Sequence, residues 1–179
     1  ASRGSRGCCD LDAQAIASWG VAYVSFGLCW DVKKEPWTGE SLHRNFSAAI
    51  KASGRDMVLE VVAGYFFLGD DIRMYANVWR FCEDHHDSWE STTEQLLCRH
   101  LLKKGAAGSA GGWASMDLMT TGGQGCSVDG AVVDHCPGQT DDEYMTEFVL
   151  WCLTQSPLLV ATDVRNLTSS MSSLMLNSE

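Results

Sequence analysis

The sequence predicts an α/β fold in which helices alternate with the strands of a parallel sheet. A helical pattern that closes on a glycine and is followed by a buried-strand pattern occurs twice in the first 63 residues. The two strand patterns are short apolar runs rich in β-branched residues, which are typical of parallel strands covered on both faces. This rhythm fits both a doubly wound sheet and part of a (β/α)₈ barrel.

The first two repeats are the clearest. Residues 10–19 (DLDAQAIASW) carry apolar side chains at helical spacing, and a glycine follows as a stop signal. Residues 21–26 (VAYVSF) are the first predicted strand. Residues 41–53 (SLHRNFSAAIKAS) repeat the helical pattern and lead, after another glycine, into a second predicted strand at 57–63 (MVLEVVA).

The middle of the chain continues this alternation. Residues 70–80 are predicted to form a helix, with a short strand-like stretch near Trp79. Residues 87–104 predict an amphipathic helix, since its basic carboxyl end suits the helix dipole. A glycine-rich turn at 105–112 leads into a strand-like stretch at 113–119.

The last repeat is marked by capping signals. Thr140 and Glu143 have the spacing of a capping box, so a helix is expected to begin at Asp141 and to stop before Pro157. Residues 158–162 are the last predicted strand.

Composition narrows the classes of function. The net charge is −10 and the isoelectric point is near 4.8, so we expect no nucleic-acid partner. No apolar stretch is long enough to predict a membrane span. Eight cysteines without a CxxC pair, and two N-glycosylation sequons at Asn45 and Asn166, favour a glycoprotein that is secreted, lysosomal or elsewhere in the secretory pathway.

Four blocks of distinctive spacing occur in order and span nearly the whole chain. They combine Trp, Gly and acidic residues at fixed separations. The blocks are DAQAIASWGVAYVSFGLC at 12–29, NVWR at 77–80 with DHHDSW at 84–89, GGWASMDL at 111–118, and a last block from EY at 143–144 through LW at 150–151 and SPLL at 156–159 to TDVRN at 162–166.

This series resembles the melibiase signatures of glycoside hydrolase family twenty-seven, the α-galactosidases. The resemblance implies a (β/α)₈ TIM barrel, of which the chain matches strands four to eight as one partial domain, residues 1–179. A complete barrel needs about 250 residues, so a further polypeptide or other subunits are expected to complete it.

The resemblance also assigns the catalytic positions. Retaining glycosidases use one carboxylate as nucleophile and a second as acid/base. The family's nucleophile position falls on Gly27, which has no side chain, whereas its acid/base position falls on Asp84. Two readings of Asp84 stay open, a residual catalytic role and an ordinary solvated loop carboxylate.

The positions that would bind sugar are partly kept. Arg80, Asp117 and Trp113 match substrate-side residues of the family, although Arg80 could equally form a structural ion pair. The family's strand-four lysine is replaced by Ser25, and its strand-five glutamate by Val62. An α-galactoside is therefore the predicted ligand class, with a weakened set of contacts and no cofactor or metal.

Cysteine positions also depart from the family pattern. A disulfide that is frequent in the family would join positions 61 and 76, which here are Val61 and Ala76. Cys29 is expected to be unpaired. For Cys126 and Cys136, a loop-closing disulfide is favoured over a metal clip with a histidine.

Three functions remain open from the sequence. The leading hypothesis is a catalytically inactive α-galactosidase homologue that acts as a structural or accessory subunit. The alternatives are an active retaining α-galactosidase that uses another carboxylate or a water, and a galactoside-binding module without turnover. Adjacent His85 and His86 are interpreted as strand neighbours on opposite faces rather than as metal ligands.

Overall fold

A computed structural model gives the fold of this chain. The residues it describes are 5, 7–27, 38–62, 72–100, 102, 108–109, 111–123, 127–128, 131–132 and 138–178. The helices are α1 (Cys9–Ser18), α2 (Thr38–Ala52), α3 (Trp89–His100), α4 (Asp141–Leu153) and α5 (Ser169–Met175), with 3₁₀ turns at Ile72–Met74 and Val164–Asn166. The strands are β1 (Tyr23–Phe26), β2 (Val58–Val62), β3 (Val78–Arg80), β4 (Gly108–Ser109), β5 (Gly112–Ser115), β6 (Ser127–Val128) and β7 (Ala131–Val132).

The chain divides into two compact units. The first contains Ala1–Arg80 and Ser109–Trp113, and the second contains Phe81–Gly108 and Ala114–Glu179. Strand order in the five-stranded sheet is β1-β2-β3-β5-β4, and β6 and β7 pair with each other in an antiparallel ribbon. None of the helices in the described parts of the chain is long and apolar enough to cross a membrane.

Parallel pairing in the first unit confirms the predicted α/β class. β1 pairs in parallel with β2, and β2 pairs in parallel with β3. The Trp113 N–H donates to the Asn77 carbonyl oxygen at 2.8 Å, next to β3. Gly112 is required there, because an added Cβ would lie 2.7 Å from the Trp79 ring.

Helix α2 forms the apolar layer against β1. Phe46, Ala49 and Ile50 follow the predicted helical stripe and are all buried. The ring of Phe26 stacks on that of Phe46 with centroids 4.2 Å apart. Burial of one such aromatic side chain contributes on the order of 2 kcal/mol to folding.

The second unit is built on α3, α4 and α5. The capping box predicted before α4 is confirmed, since the Thr140 hydroxyl accepts from the Glu143 N–H while the Glu143 carboxylate accepts from the Thr140 N–H. Met119 and Val160 form a parallel bridge. The strand predicted at 158–162 is therefore reduced to one bridged residue within the described range.

The strand-like stretch expected near Trp79 is confirmed as β3. The helix predicted at 70–80 is wrong for the described residues before β3, where a single 3₁₀ turn forms at Ile72–Met74. The cause is Asn77, whose side-chain oxygen accepts from the Leu59 N–H and whose own N–H donates to the Leu59 carbonyl. These two bonds fix the chain beside β2 in an extended path.

Candidate functional site

The carboxyl ends of β1, β2 and β3 lie at the same end of the sheet in the first unit. Phe26 pairs with Val61, and Val62 pairs with Arg80. Gly27 directly follows β1, so it comes next in this register. Catalytic side chains of β/α barrels come from this end of the strands.

Alternation along β1 and β2 determines which residues share a face. Phe26 faces α2, so Ser25 and Gly27 face the opposite side. Glu60 pairs with Ser25, and Val62 comes two residues after it on the same face of β2. The three positions at which the family pattern is lost, Ser25, Gly27 and Val62, therefore share one face of the sheet.

Glu60 is a buried carboxylate on that face which the sequence reasoning missed. It is 7% exposed, and the neighbouring β1 residue on the same face is Tyr23. Burial, together with the Glu60 carboxylate, raises the pKa of Tyr23. The residue escaped notice because it stands inside an otherwise apolar run, which was interpreted only as a buried strand.

No packing around Gly27 requires a glycine. A Cβ built at this position would lie 3.8 Å from the nearest heavy atom among the described residues, Cγ2 of Val62, which is an ordinary van der Waals contact. Gly27 is also absent from the glycines with positive φ. Among the described residues, the position predicted to carry the nucleophile therefore has room for a side chain and carries none.

Arg80 and Trp113 also lie in the first unit. Arg80 ends β3 and is half-buried, whereas Trp113 in β5 is 38% exposed. Their predicted contact with a sugar stays a prediction.

Asp84 is exposed on a segment of the second unit that is tied down at several points. Cys82 forms a disulfide with Cys98 of α3. The Gln95 side-chain amide donates to the Glu83 carbonyl at 2.8 Å. The carboxylate that is predicted to be the acid/base is thus held on a well-anchored backbone.

Asp117 fastens the same segment from the other side. Its Oδ2 accepts from the His85 N–H at 2.9 Å, and its Oδ1 accepts from the Leu118 N–H at 2.8 Å. Its φ of 75° is unusual for a residue with a side chain, and the Trp151 indole donates to its carbonyl oxygen at 2.9 Å. Both carboxylate oxygens of Asp117, which is predicted to contact a sugar, therefore accept hydrogen bonds from backbone N–H groups.

His85 and His86 lie in a loop, not in a strand as expected. The His85 side chain is fully buried, and its ring packs against Trp151 with centroids 5.0 Å apart. His86 is exposed. Within the described residues, no three His, Cys, Asp or Glu side chains are grouped to hold a metal ion.

A second buried carboxylate, Glu147 of α4, lies close to His85. It is completely buried, and its Oε1 is 3.8 Å from Nδ1 of His85. Burial raises the pKa of Glu147 to about 7, against hydrogen bonds from Thr120 and Thr121 that act in the opposite direction. Burial also lowers the pKa of His85. Sequence reasoning passed over Glu147, because nothing in the sequence pattern of α4 shows that this carboxylate is buried.

Cys82 and Cys98 form a disulfide that the sequence did not predict. Within the described residues, Cys8, Cys9 and Cys152 are free thiols. The predictions for Cys29, Cys126 and Cys136 fall outside the described residues.

Comparisons with known proteins bear on the family and the fold of this chain. The melibiase family model described as alpha galactosidase A matches residues 2–179. Alpha-galactosidase 3 of Arabidopsis thaliana is 30% identical over 172 residues, which cover 94% of this chain and 35% of that protein. Alpha-galactosidase A of Homo sapiens is 26% identical over 180 residues, which cover 96% of this chain and 38% of that protein.

Solved structures show the same partial coverage. A variant of a family twenty-seven β-L-arabinopyranosidase from Geobacillus stearothermophilus, in complex with arabinose, superposes with a TM-score of 0.79 at 28% identity, covering 98% of this chain and 41% of that one. Alpha-galactosidase I from Mortierella vinacea superposes with a TM-score of 0.71 at 19% identity, covering 96% and 45%, and shows the fold alone. The chain thus spans less than half the length of these relatives.

Proposed function

Because the chain belongs to the α-galactosidase (melibiase) family of glycoside hydrolases, we propose that it is a catalytically inactive homologue that acts as a structural or accessory subunit. The observation that carries the proposal is Gly27. It occupies the family's nucleophile position and offers no atom that could attack an anomeric carbon.

The loss extends beyond one atom. Ser25 and Val62 share a sheet face with Gly27, and neither offers the charge that the family places there. A hydroxyl-rich sugar needs hydrogen-bonding partners that match its oxygens, and a valine leaves those oxygens unpaired at a cost of about 1–3 kcal/mol each. Substrate binding and bond cleavage are both weakened at this face.

The segment around Asp84 favours a retained scaffold. Its disulfide and its backbone bonds to Asp117 hold the loop whether or not Asp84 transfers a proton. A subunit that uses the family fold for assembly would keep such anchors. Its partner would be the polypeptide that supplies the remaining barrel strands, and the disulfide favours an oxidising, secretory compartment.

Hydrolysis of an activated aryl α-galactoside tests the proposal. The protein is assayed together with whatever polypeptide completes its barrel, with and without azide or formate as a small external nucleophile. An aryl β-L-arabinopyranoside is included, because one structural relative acts on that sugar. We expect no turnover without the added anion. Turnover of either substrate by the unaltered protein alone, lost in Asp84→Asn, would overturn the proposal.

A second candidate function is an active hydrolase in which Glu60 replaces the missing nucleophile. Glu60 is the buried carboxylate on the face that carries Gly27, and it pairs with Ser25, two residues before Gly27. Any turnover by the unaltered protein should then vanish in Glu60→Gln and persist in Glu83→Gln, a control at an exposed glutamate. Equal activity in both variants excludes this route.

A galactoside-binding module without turnover is the third candidate, with Arg80 and Trp113 of the first unit as its contacts. Titration calorimetry with galactose distinguishes it from the structural role. Saturable heat that disappears in Trp113→Ala supports binding, whereas no heat supports the structural subunit.

A further inference from the structure

The buried contact between His85 and Glu147 in the second unit has no part in the proposed function. Both side chains are fully buried, with Nδ1 and Oε1 3.8 Å apart. His85 follows Asp84 in the anchored segment, and Glu147 belongs to α4. The hydrogen bonds around the two residues allow their proton to be located.

The carboxylate of Glu147 accepts in each of the hydrogen bonds that it forms with the described residues. Its carboxylate accepts from the Thr120 N–H at 2.7 Å, the Thr120 hydroxyl at 3.2 Å, the Thr121 hydroxyl at 3.2 Å and the Gln139 amide at 3.2 Å. An ionised carboxylate offers about four lone-pair sites and no donor. Four donors fill these sites, so the surroundings match the ionised form.

His85 is surrounded only by acceptors. Nδ1 lies 2.9 Å from the Leu118 carbonyl oxygen, which can only accept, so Nδ1 carries a hydrogen. Nε2 lies 3.3 Å from the Thr92 hydroxyl, whose single hydrogen is donated to Oε1 of Gln139 at 3.0 Å. Gln139 presents its amide nitrogen to Glu147, as an ionised carboxylate requires. With this orientation of the amide, Nε2 of His85 donates as well, which makes the ring an imidazolium.

We propose that His85 and Glu147 share one proton, held on the imidazole, as a buried pair of zero net charge that positions the segment carrying Asp84. Neither charge is stable alone in this surrounding, because desolvation of a single buried ion costs several kcal/mol. Burial alone moves the pKa of each group toward its neutral form. The charge of the partner and the hydrogen bonds to each side chain act in the opposite direction, and the proposal is that they prevail. The pair joins α4 to the Asp84 segment, and Thr92 joins both to α3.

Other charged groups among the described residues also act on His85 and Glu147. Asp87 and Asp117 favour a positive His85, and exposed His86 opposes it. Asp87 also raises the pKa of Glu147. On the side of α3, the uncharged Thr92 contacts His85. On α4, the Tyr144 hydroxyl donates to Asp87.

The shared proton predicts a stability window. In the unfolded chain, histidine titrates near pH 6.5 and glutamate near pH 4.3, so between these values the unfolded pair also holds about one proton. Below this pH window the two side chains of the unfolded chain bind two protons, and above it they bind none. The folded pair keeps one proton over a wider pH range than the unfolded chain does. Stability therefore falls on both the acid and the alkaline side.

NMR of the unaltered full chain is the first test. Ring ¹⁵N and ¹³C signals of His85 are followed from pH 4 to pH 8, with exposed His100 as the reference histidine. We expect both ring nitrogens of His85 to carry hydrogen at pH 5.5. A neutral ring with one protonated nitrogen at that pH would overturn the proposal.

Substitutions supply the second test. Thr92→Val removes the acceptor of Nε2 and should lower the titration midpoint of His85 by about one pH unit. Thr93→Val, at the next position of α3, should leave it unchanged. In Glu147→Gln, the loss in melting temperature should be larger at pH 5.5 than at pH 8, and an equal loss at both pH values contradicts the shared proton. The NMR test needs no substitution, so it stands even where Glu147→Gln does not fold.

Discussion

Asp87 shows how closely single residues are fitted in the second unit. It is 5% exposed, and its Oδ1 accepts from the Tyr144 hydroxyl at 2.7 Å. Gly123 and Gly138 both pack directly against it, and a Cβ at either position would overlap Asp87. These two glycines are needed for space, whereas Gly27 is not.

Paired alanine substitutions test this difference. Gly138→Ala would press a methyl group onto the Asp87 carbonyl oxygen, so we expect it to lower the free energy of unfolding by about 2–3 kcal/mol. Gly27→Ala, the matched control, should change it by less than about 1 kcal/mol. Urea denaturation measures both, and a similar cost for the two variants would contradict the packing at Asp87.

Among the elements, α3 is fastened to the Asp84 segment by the Cys82–Cys98 bridge. The bridge spans 16 residues, and both cysteines are buried. A loop of this length is expected to stabilise the fold by about 3 kcal/mol, chiefly by restricting the unfolded chain.

Removal of the bridge should therefore have a measurable cost. We expect the Cys82→Ala, Cys98→Ala double variant to unfold at a urea concentration lower by about 1–2 M, given typical denaturant slopes. Cys152→Ala removes an exposed free thiol and should leave the midpoint unchanged. Equal midpoints for the two variants would show that the bridge is absent in solution.

Elements with strong periodicity and caps could be predicted from the sequence. α4 begins at Asp141 as expected, because both halves of its capping box are local. The stretch 72–80 could not be predicted in this way, because Asn77 is held by a residue 18 positions away, Leu59. Local propensity contains no information about such a contact.

The site residues also differ in whether local sequence or a distant contact determines them. Gly27 and Asp84 could be placed from sequence blocks, because each has a fixed distance to neighbouring signature residues. Glu60 and Glu147 could not, because an apolar pattern identifies the buried face but not what a polar residue on that face will contact. The Cys82–Cys98 pairing depends likewise on the fold.

For the whole molecule, partial coverage of its relatives has a physical consequence. The chain spans 35% of the Arabidopsis thaliana relative, and β1 lies at one end of the described sheet. An unpaired strand edge is a template for another chain. Large side chains such as Trp19, Leu153 and Leu176 are also more than 70% exposed.

We therefore expect the isolated 179-residue chain to associate. Size-exclusion chromatography with light scattering should give a mass above 19.6 kDa that increases with protein concentration. A concentration-independent mass of 19.6 kDa would contradict the expectation.

The open space at Gly27 also determines which mutations this position can accept. A single base change can convert a glycine codon into an aspartate codon. Among the described residues, the heavy atom nearest to a Cβ built at Gly27 is at an ordinary van der Waals distance. At this position the backbone remains permissive, so a point mutation could reintroduce a carboxylate without a compensating change nearby. The residues predicted as replacements, Ser25 and Val62, are harder to reverse, because a charged pocket would require mutations on two strands.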